Sequence, residues 1–454
     1  MSSPVSMVSS VWKRLAVLGW LVAVLAWWGG TAWLARQPAP LAIRLTNPAF
    51  AAGLLWTVVV AAWLIVRGAR NRRLMLFRAA AAALAGFACL LVFEAAAAAG
   101  LIDFHTIRTL LAGDIDERSI AFRNDHELSF RRPAHAHTSG RPRSNMAEMF
   151  NLPIRSPYVQ TFSTDGRGFR NAVDLTSADV ALIGDSYIEG AYVSDEETAA
   201  VRLQERLGRP VVNLGVSGYG SLQEAKVLEK YAVPLHPKLV AWFFFEGNDF
   251  DDDQAFENSM AYERGVPPPV DAPAAPAQKW RGFVDRSFTN NAFMQLRNWL
   301  DFLIPNGIDS FGWFHDRDGA LHRMYFYDFY ATRTLEEYEV QRFEATKAAF
   351  RRGAEICRQH GIRLVAVYIP IKFRVYGNLC TYPSGSPCVR WKPWPLEARF
   401  AAFTRAAGIE FLSLTAPMHR AGASGHVVYA PEDSHWSAEG HRLVAGEIAK
   451  LIGE

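Results

Sequence analysis

Three long apolar runs near the N-terminus restrict what this chain can fold into more than any other feature. The runs cover residues 15–35, 49–66 and 79–101, and only Glu94 interrupts the third. At a rise of about 1.5 Å per residue, helices of these lengths span or nearly span the hydrocarbon core of a bilayer. We therefore predict a membrane domain over residues 1–102 that contains three transmembrane helices.

Positive charge predicts the orientation of these helices. The first run follows two basic residues, as a signal peptide does, but its length and the two further runs favour a signal anchor. The segment between the second and third runs carries five arginines: Arg67, Arg70, Arg72, Arg73 and Arg78. Because arginine-rich loops stay in the cytoplasm, everything after Leu101 is expected on the opposite side of the membrane.

Charge differs between the two parts of the 454-residue chain. Residues 1–102 hold nine basic residues and one acidic residue, whereas the remainder holds 39 basic and 44 acidic residues. This mildly acidic remainder gives no electrostatic basis for nucleic-acid binding. The one acid of the first part, Glu94, either contacts a polar partner or lies near the outer membrane interface, where its charge costs less.

The four cysteines can form too few disulfides to stabilise a chain of this length, which excludes a disulfide-dense scaffold. Cys380 and Cys388 flank a loop rich in Pro, Gly and Ser, and this favours a local disulfide in an oxidising compartment. The alternative is a metal-binding pair, although no nearby Cys or His completes a ligand set.

Residues 103–160 are rich in Arg and Pro and show no sustained periodicity, so we interpret them as a stalk between the membrane and the globular part. His135 and His137 in this stalk have the spacing of metal ligands. A Pro-flanked His-x-His is nevertheless more typical of a plain linker.

Apolar runs and helical segments alternate from residue 161 to the C-terminus. Five short apolar runs have the composition of strands buried on both faces: residues 180–183, 211–214, 239–245, 364–369 and 411–412. Helical segments alternate with them: residues 196–207, 222–231, 335–360, 396–407 and 438–452. This order predicts an α/β fold, a three-layer α/β/α domain around a parallel sheet of about five strands.

Residues 250–335 are too long for a simple connection between the third and fourth strands. They contain a Pro/Ala-rich stretch, residues 267–276, followed by an aromatic-rich part. We interpret the segment as an insertion with its own small core. It also fits a cap over the site, with aromatic side chains that stack on sugar rings.

Chemically distinctive residues follow the predicted strands. Ser186 lies at the turn after the first strand, Gly218 in the glycine-rich loop after the second, and Asn248 after the third. Asp433 and His435 lie in the loop before the last helix. Since sites form at the carboxyl ends of the strands in such sheets, these residues are expected to meet.

This set of residues supplies the parts of an acyl-transfer site. Ser186 is the predicted nucleophile, His435 its general base, and Asp433 the carboxylate that orients the imidazole and stabilises its charge. The backbone N–H groups of Ser186 and Gly218 and the side-chain amide of Asn248 form the predicted oxyanion hole. No cofactor and no metal ion is predicted.

These residues resemble the SGNH (GDSL-type) hydrolase superfamily, which draws Ser, Gly, Asn and His from four sequence blocks. The matching residues are Ser186, Gly218, Asn248 and the pair Asp433 and His435, and Tyr187 stands where the Leu of the GDSL signature often does. The likeness covers about residues 160–454, except most of 250–335. It implies the three-layer fold and the site residues given above.

A second resemblance concerns the segment Gly168-Phe169-Arg170. It is similar to a segment before the first strand in bacterial, membrane-tethered members, including those that resemble alginate O-acetylation proteins. Together with the three predicted spans and their orientation, this resemblance predicts a multi-pass protein of the bacterial inner membrane whose catalytic domain lies in the periplasm. It also implies an O-acetyl substrate on an envelope glycan or exopolysaccharide.

Several other polar residues are interpreted as structural. The acidic run from Asp249 to Asp253 is expected to be a solvated face rather than a divalent-cation site. Glu189 and Glu246 are expected to make hydrogen bonds, and His441 is expected on the surface of the last helix. Trp436 is expected to pack the catalytic loop.

Three functions remain open. The first is a serine esterase that removes acyl groups, above all acetyl, from an extracytoplasmic saccharide. The second is an O-acyltransferase that passes the acyl group to a sugar hydroxyl and needs a donor delivered across the membrane by a membrane-bound acyltransferase partner. The third is a non-catalytic glycan-binding scaffold, against which the complete residue set argues. The expected contacts are therefore an acylated saccharide, membrane lipid and, for the transferase, this membrane partner.

Overall fold

The structure is a computed structural model that describes residues 72–142, 144–146, 156, 158–263, 284, 286–303, 309–329 and 332–453. The predicted spans at residues 15–35 and 49–66 lie outside the described residues. The chain divides into two compact units. The first comprises Met1–Ile115, Pro157–Val159 and Pro273–Pro305, and the second comprises Asp116–Ser156, Gln160–Ala272 and Asn306–Glu454.

The second unit begins with four short strands, and from residue 180 onward strands and helices largely alternate. The strands are β1 (Arg123–Asp125), β2 (Ser129–Arg131), β3 (His137–Gly140), β4 (Gln160–Ser163), β5 (Val180–Gly184), β6 (Val211–Gly215), β7 (Leu239–Phe245), β8 (Phe311–His315), β9 (Leu321–Tyr325), β10 (Arg363–Ile369) and β11 (Glu410–Ser413). The α-helices are α1 (Arg72–Ala98), α2 (Phe104–Ala112), α3 (Ser186–Glu189), α4 (Ala199–Leu207), α5 (Ser221–Val227), α6 (Asp249–Glu263), α7 (Phe288–Leu303), α8 (Glu337–Gln359), α9 (Lys372–Tyr376), α10 (Leu396–Ala406), α11 (Thr415–Ala423) and α12 (Ala438–Ile452).

Helix α1 in the first unit is the one described helix that is long and apolar enough to cross a membrane. It overlaps the predicted third span at residues 79–101 but begins earlier, at Arg72. Arg72, Arg73 and Arg78 therefore lie in the first two turns of the helix, and their predicted placement in a loop is wrong. Arginine is a good helix former, and no Gly or Pro interrupts these turns.

Glu94 near the end of α1 has polar partners within the first unit. Its Oε1 accepts hydrogen bonds from the Ser287 hydroxyl at 3.1 Å and from the Thr289 backbone N–H at 2.7 Å. These donors lie at the start of α7, where backbone N–H groups have no partner inside the helix. Of the two interpretations of Glu94, the structure therefore supports a polar contact, and the partner is a segment of the same chain.

A five-stranded parallel sheet with the order β11-β10-β7-β5-β6 forms the centre of the second unit. All five predicted apolar runs are strands of this sheet, which confirms the predicted α/β fold. Successive side chains of a strand point to opposite faces. Accordingly, Trp242 stacks on Phe350 of α8 at 4.2 Å between ring centroids, whereas Phe243 contacts Trp436 on the other face. Helical layers thus cover both sides of the sheet.

Residues 250–335 are distributed over both units. Helix α6 packs against α5 and α8 in the second unit, whereas α7 belongs to the first. Strands β8 and β9 form an antiparallel hairpin in the second unit, and Phe314 and Met324 from this hairpin enter the main core. The described part of this segment therefore contributes to the core of the domain as well as to its surface.

The acidic run lies at the start of α6, and its prediction as a solvated face is wrong for two of its members. Asp249 and Asp253 are fully buried because one face of α6 packs on the domain. Asp249 accepts a hydrogen bond from the Phe245 N–H at 2.9 Å, and Asp253 accepts one from the Leu222 N–H at 2.8 Å. Burial raises the pKa of Asp253 to about 7.

Two further expectations about side chains are wrong. Cys380 and Cys388 are free in the structure, so the predicted local disulfide is not formed. Cys388 is instead buried in a 3-10 turn, while Cys380 packs against Gly312 of β8. His441 is fully buried rather than exposed, because α12 packs against α4. Its Nδ1 accepts the Ala199 N–H at the start of α4.

Two helical glycines test how tightly the layers pack. A Cβ added at Gly353 in α8 would lie 2.3 Å from Cζ3 of the fully buried Trp242, which has no room to move. A Cβ at Gly446 in α12 would approach nothing closer than 3.8 Å. We expect Gly353→Ala to lower the free energy of unfolding by about 1–3 kcal/mol. Gly446→Ala is the matched control and should raise it by about 0.5–1 kcal/mol.

The measurement is chemical denaturation of the full-length variants in detergent. Equal unfolding free energies for the two variants would show that the contact between α8 and the sheet has room for a methyl group.

Candidate active site

The turn after β5 presents Ser186 at the carboxyl edge of the sheet. Asp185 caps the short helix α3, since its Oδ1 accepts the Tyr187 N–H at 2.9 Å. The last residue of the neighbouring strand β6 is Gly215, and a Cβ there would lie 2.3 Å from the Glu189 nitrogen. A glycine at this point therefore lets the end of α3 lie directly against the end of β6. The result is a serine held on a tight strand-to-helix turn.

The structure brings Ser186, His435 and Asp433 together in one hydrogen-bonded series. His435 Nε2 lies 2.8 Å from the Ser186 hydroxyl oxygen. His435 Nδ1 lies 2.6 Å from Asp433 Oδ1, and the same oxygen accepts the His435 backbone N–H at 2.9 Å. The imidazole is thus fixed in plane and position, with one nitrogen facing a carboxylate and the other a hydroxyl.

Burial and neighbouring charges set the pKa values of Asp433 and His435. Burial raises the pKa of Asp433, but the charge of His435 and the hydrogen bonds from His435 and Asn145 outweigh burial and hold it below its usual range. Burial lowers the pKa of His435, whereas the charges of Asp433 and Asp185 raise it, and the net result lies above the usual 6.5. Asp433 is therefore ionised at neutral pH, and the imidazole gains a proton readily.

Asp185 is a second carboxyl beside the series. Its Oδ2 lies 3.5 Å from the Ser186 hydroxyl, and burial raises its pKa to about 6 despite the opposing effects of the Tyr187 N–H and His435. Its charge adds to that of Asp433 in favouring the protonated form of His435.

The predicted oxyanion residues follow the strands on either side of β5. Gly218 lies in the loop after β6 with a φ of +81°, a left-handed conformation that favours glycine. Asn248 follows β7, and its side-chain NH₂ donates one hydrogen bond to Asp252 Oδ2 at 2.9 Å. The second N–H of that amide and the backbone N–H of Gly218 and Ser186 remain predicted oxyanion donors.

Two residues that the sequence did not single out as site residues support the histidine. The Tyr187 hydroxyl donates to the Ser434 carbonyl at 2.8 Å, and its ring lies 5.0 Å from the His435 ring. The Asn145 backbone N–H donates to Asp433 Oδ2 at 2.7 Å, and Asn145 Oδ1 accepts the Ser434 N–H at 3.0 Å. Asn145 comes from the predicted stalk, where nothing in the sequence distinguishes it.

Glu189 and Glu246 make strong structural contacts near the same edge. Arg132 donates to both carboxylate oxygens of Glu189, at 2.8 and 2.9 Å. Arg374 likewise donates to both oxygens of Glu246, from Nε to Oε1 at 2.6 Å and from Nη2 to Oε2. Both carboxylates are buried, and the partly exposed arginine beside each one compensates its charge.

Arg170 of the Gly-Phe-Arg segment holds the loop that follows α3. It is buried and donates to Asp195 Oδ1 at 2.8 Å and to the Val193 carbonyl at 2.7 Å. The same guanidinium also reaches the carbonyls of Glu189 and Gly190. The segment therefore fixes the backbone on the far side of the serine.

The acidic run and the histidines of the stalk are the groups in the sequence that most resemble metal ligands. Within the part of the chain that the structure describes, no group of three or more His, Cys, Asp or Glu side chains is arranged to hold a metal ion.

The protonation of His435 can be tested directly. Asp433→Asn removes the nearest negative charge, so we expect the pKa of His435 to fall by about 1 to 3 pH units. Titration of the His435 ring by NMR in the full-length protein measures this shift. His441 is the internal control, because burial lowers its pKa to about 3 and its signal should not titrate between pH 5 and 9 in either protein. An unchanged pKa for His435 would contradict the pairing with Asp433.

Comparison with solved structures gives distant matches. A lipolytic protein of the G-D-S-L family from Desulfitobacterium hafniense DCB-2 is 12% identical, with a TM-score of 0.31, 60% of this chain covered and 98% of that chain. A GDSL-like lipase from Bacteroides thetaiotaomicron VPI-5482 is 13% identical, with a TM-score of 0.30 and coverage of 60% and 87%. The acetyl xylan esterase AlAXEase is 9% identical, with a TM-score of 0.31 and coverage of 60% and 98%. With TM-scores this low, we infer nothing about the reaction from these structures.

Comparison with curated proteins gave no match. Comparison with family models gave a match over residues 328–454, the part that carries Lys372, Asp433 and His435. The matching family is described as the SGNH hydrolase-like domain of the acetyltransferase AlgX. This match confirms the resemblance inferred from the sequence: the C-terminal part of the chain is similar to the SGNH hydrolase-like domain of AlgX.

Proposed function

We propose that this protein is a membrane-anchored, extracytoplasmic serine esterase of the SGNH type. It removes acyl groups, above all acetyl, from a glycan of the cell envelope or from an exopolysaccharide. The observation that carries the proposal is the hydrogen-bonded series from Asp433 through His435 to Ser186. A binding module has no use for a serine placed against an oriented imidazole.

The geometry supports a two-step acyl transfer. In the first step Ser186 Oγ attacks the ester carbonyl while His435 Nε2 takes the serine proton, and Asp433 stabilises the imidazolium. The bond between the carbonyl carbon and the sugar oxygen then breaks, and His435 gives the proton to that oxygen, which leaves as a hydroxyl. In the second step His435 deprotonates water, whose oxygen attacks the acyl-serine, and acetate leaves as the serine recovers its proton.

The transient oxyanion needs donors that are in place before the reaction. Ser186 N–H, Gly218 N–H and the Asn248 amide are the proposed donors. Removing one donor of this kind costs about 3–4 kcal/mol of transition-state stabilisation. Asp252 orients Asn248 by accepting one of its two N–H groups, which leaves the other for the oxyanion.

An O-acetyltransferase is the second candidate, and the family match favours it. Residues 328–454 are similar to a domain whose description names an acetyltransferase. The first step would be the same, with an acyl donor supplied by a membrane-bound acyltransferase. In the second step a sugar hydroxyl would replace water at the acyl-serine. The two reactions differ in what reaches the acyl-enzyme, not in the catalytic residues.

Helix α1 supports the membrane part of the proposal. All its described side chains except Ala97 are at least partly exposed, and it is apolar along most of its length. Such a helix is stable when lipid covers it. In the proposed arrangement, the multi-pass N-terminal region holds the catalytic unit close to the bacterial inner membrane, on its periplasmic side.

The test uses full-length protein in detergent with p-nitrophenyl acetate, alone and with an oligosaccharide acceptor. Steady nitrophenol release in water alone supports the esterase. A single burst that becomes steady release only with acceptor, with acetyl found on the sugar, supports the transferase. Folded protein that gives no burst contradicts both.

We expect Ser186→Ala to abolish release of nitrophenol while the protein stays folded, because the nucleophile is lost. Asp433→Asn should lower kcat by about three to four orders of magnitude, since the histidine loses its orientation and charge partner. Asp318→Asn is the matched control, because it changes an exposed carboxylate outside the series. Rates equal to the parent in Ser186→Ala would show that another residue does the chemistry.

A further inference from the structure

A buried lysine contacts the loop that carries Asp433 and His435. Lys372 begins α9, just after β10, and its side chain is almost completely buried. Its Nζ donates to three backbone carbonyls: Ala430 at 2.6 Å, Pro431 at 2.7 Å and Asp433 at 3.0 Å. All three acceptors lie within residues 428–436, which we call the catalytic loop.

The number of acceptors matches the charged form of the lysine. An ammonium group has three N–H donors, and each has an acceptor here. A neutral amine has two donors and a lone pair, so one carbonyl would lose its hydrogen bond and face the lone pair instead. Burying a polar group without a partner is costly, which makes this arrangement specific for the ammonium.

Helix α9 is itself fixed to the central sheet. Glu246, the residue after β7, accepts the Ile371 N–H at 2.9 Å and the bidentate contact from Arg374. Ile371 and Arg374 flank Lys372 in the chain. The lysine therefore connects a loop without regular structure to a rigid point of the sheet.

We propose that Lys372 is a positioning residue whose ammonium holds the catalytic loop so that His435 faces Ser186. It lies against the carbonyls of the loop and acts on the reaction through Asp433 and His435. The effect on turnover rests on the proposed function, whereas the effect on the loop does not.

If Lys372 acts through its ammonium form, the activity should depend on its protonation. Burial lowers the pKa of Lys372 to about 7, against the opposing charges of Glu432, Asp433 and Cys380, the titratable groups that face it from the loop and from the segment after α9. As pH rises through this pKa, the group loses a proton and one N–H donor. Activity should therefore rise as His435 loses its proton and fall again well below 10.5, the usual pKa of a lysine.

The test compares Lys372→Met with Lys450→Met in full-length protein. Lys450 is an exposed lysine on α12 that pairs with Glu447 and serves as the matched control. We expect Lys372→Met to lower kcat by about 10- to 100-fold with little change in KM, since misplacement of catalytic groups costs this much. Its pH profile should lose the falling limb. Hydrogen exchange of residues 428–436 should become faster, while Lys450→Met matches the parent in every measurement.

Three results would overturn the inference. The first is a parent-like kcat and falling limb in Lys372→Met, and the second is unchanged hydrogen exchange in the catalytic loop of that variant. If Lys372→Met does not fold, the pH profile of the parent and the kinetics of Lys372→Gln test the role of Lys372 instead. The third contrary result is a parent whose activity shows no falling limb below pH 10. If the parent shows no turnover at all, the proposed function fails, and hydrogen exchange alone decides the role of Lys372.

Discussion

The parallel pairing of β5 with β6 on one side and β7 on the other is the constraint on which the site depends. Gly184 pairs with Gly215, so β5 and β6 end at the same level, and Ile183 pairs with Trp242, so β7 extends two residues further at the same edge. Ser186, Gly218 and Asn248 then follow within a few residues of each strand end. The sheet brings three loops to one edge, but the histidine comes from elsewhere and has to be attached to that edge by other contacts.

Buried charges that bond to backbone groups hold several of the segments around this edge. Lys372 holds the carbonyls of the catalytic loop, Arg170 holds the carbonyls after α3, and Glu246 holds the start of α9. A buried charge is expensive to desolvate, and removing one member of a buried pair typically costs about 3–5 kcal/mol. Evenly packed apolar residues would be as stable but would not select one loop conformation. The charges here act on geometry more than on stability.

The sequence predicts the sheet and its site well because both depend on short local signals. Strands buried on both faces are continuous apolar runs, and the turn after β5 needs a Gly, an Asp cap and a Ser in order. Side chains whose role depends on a distant segment are not predictable in this way. Asn145 meets Asp433 from 288 positions away, and the burial of Asp249 and His441 is decided by the helices packed over them. The free state of Cys380 and Cys388 also depends on tertiary packing rather than on loop composition.

The hydrogen bonds between Glu94 and the start of α7 join two segments that are synthesised at different times. The two partners Glu94 and Ser287 are 193 positions apart, and most of the second unit's sheet is encoded between them. During synthesis, α1 emerges first, and its Glu94 gains these donors only after three of the five central strands have been translated. A version of the protein that starts after Ile115 would keep α7 and lose both helices that pack on it, leaving Phe288 without its ring contacts to Phe93 and Phe104. Trimming the N-terminal region therefore leaves one helix of the first unit in the chain without the helices that it packs on.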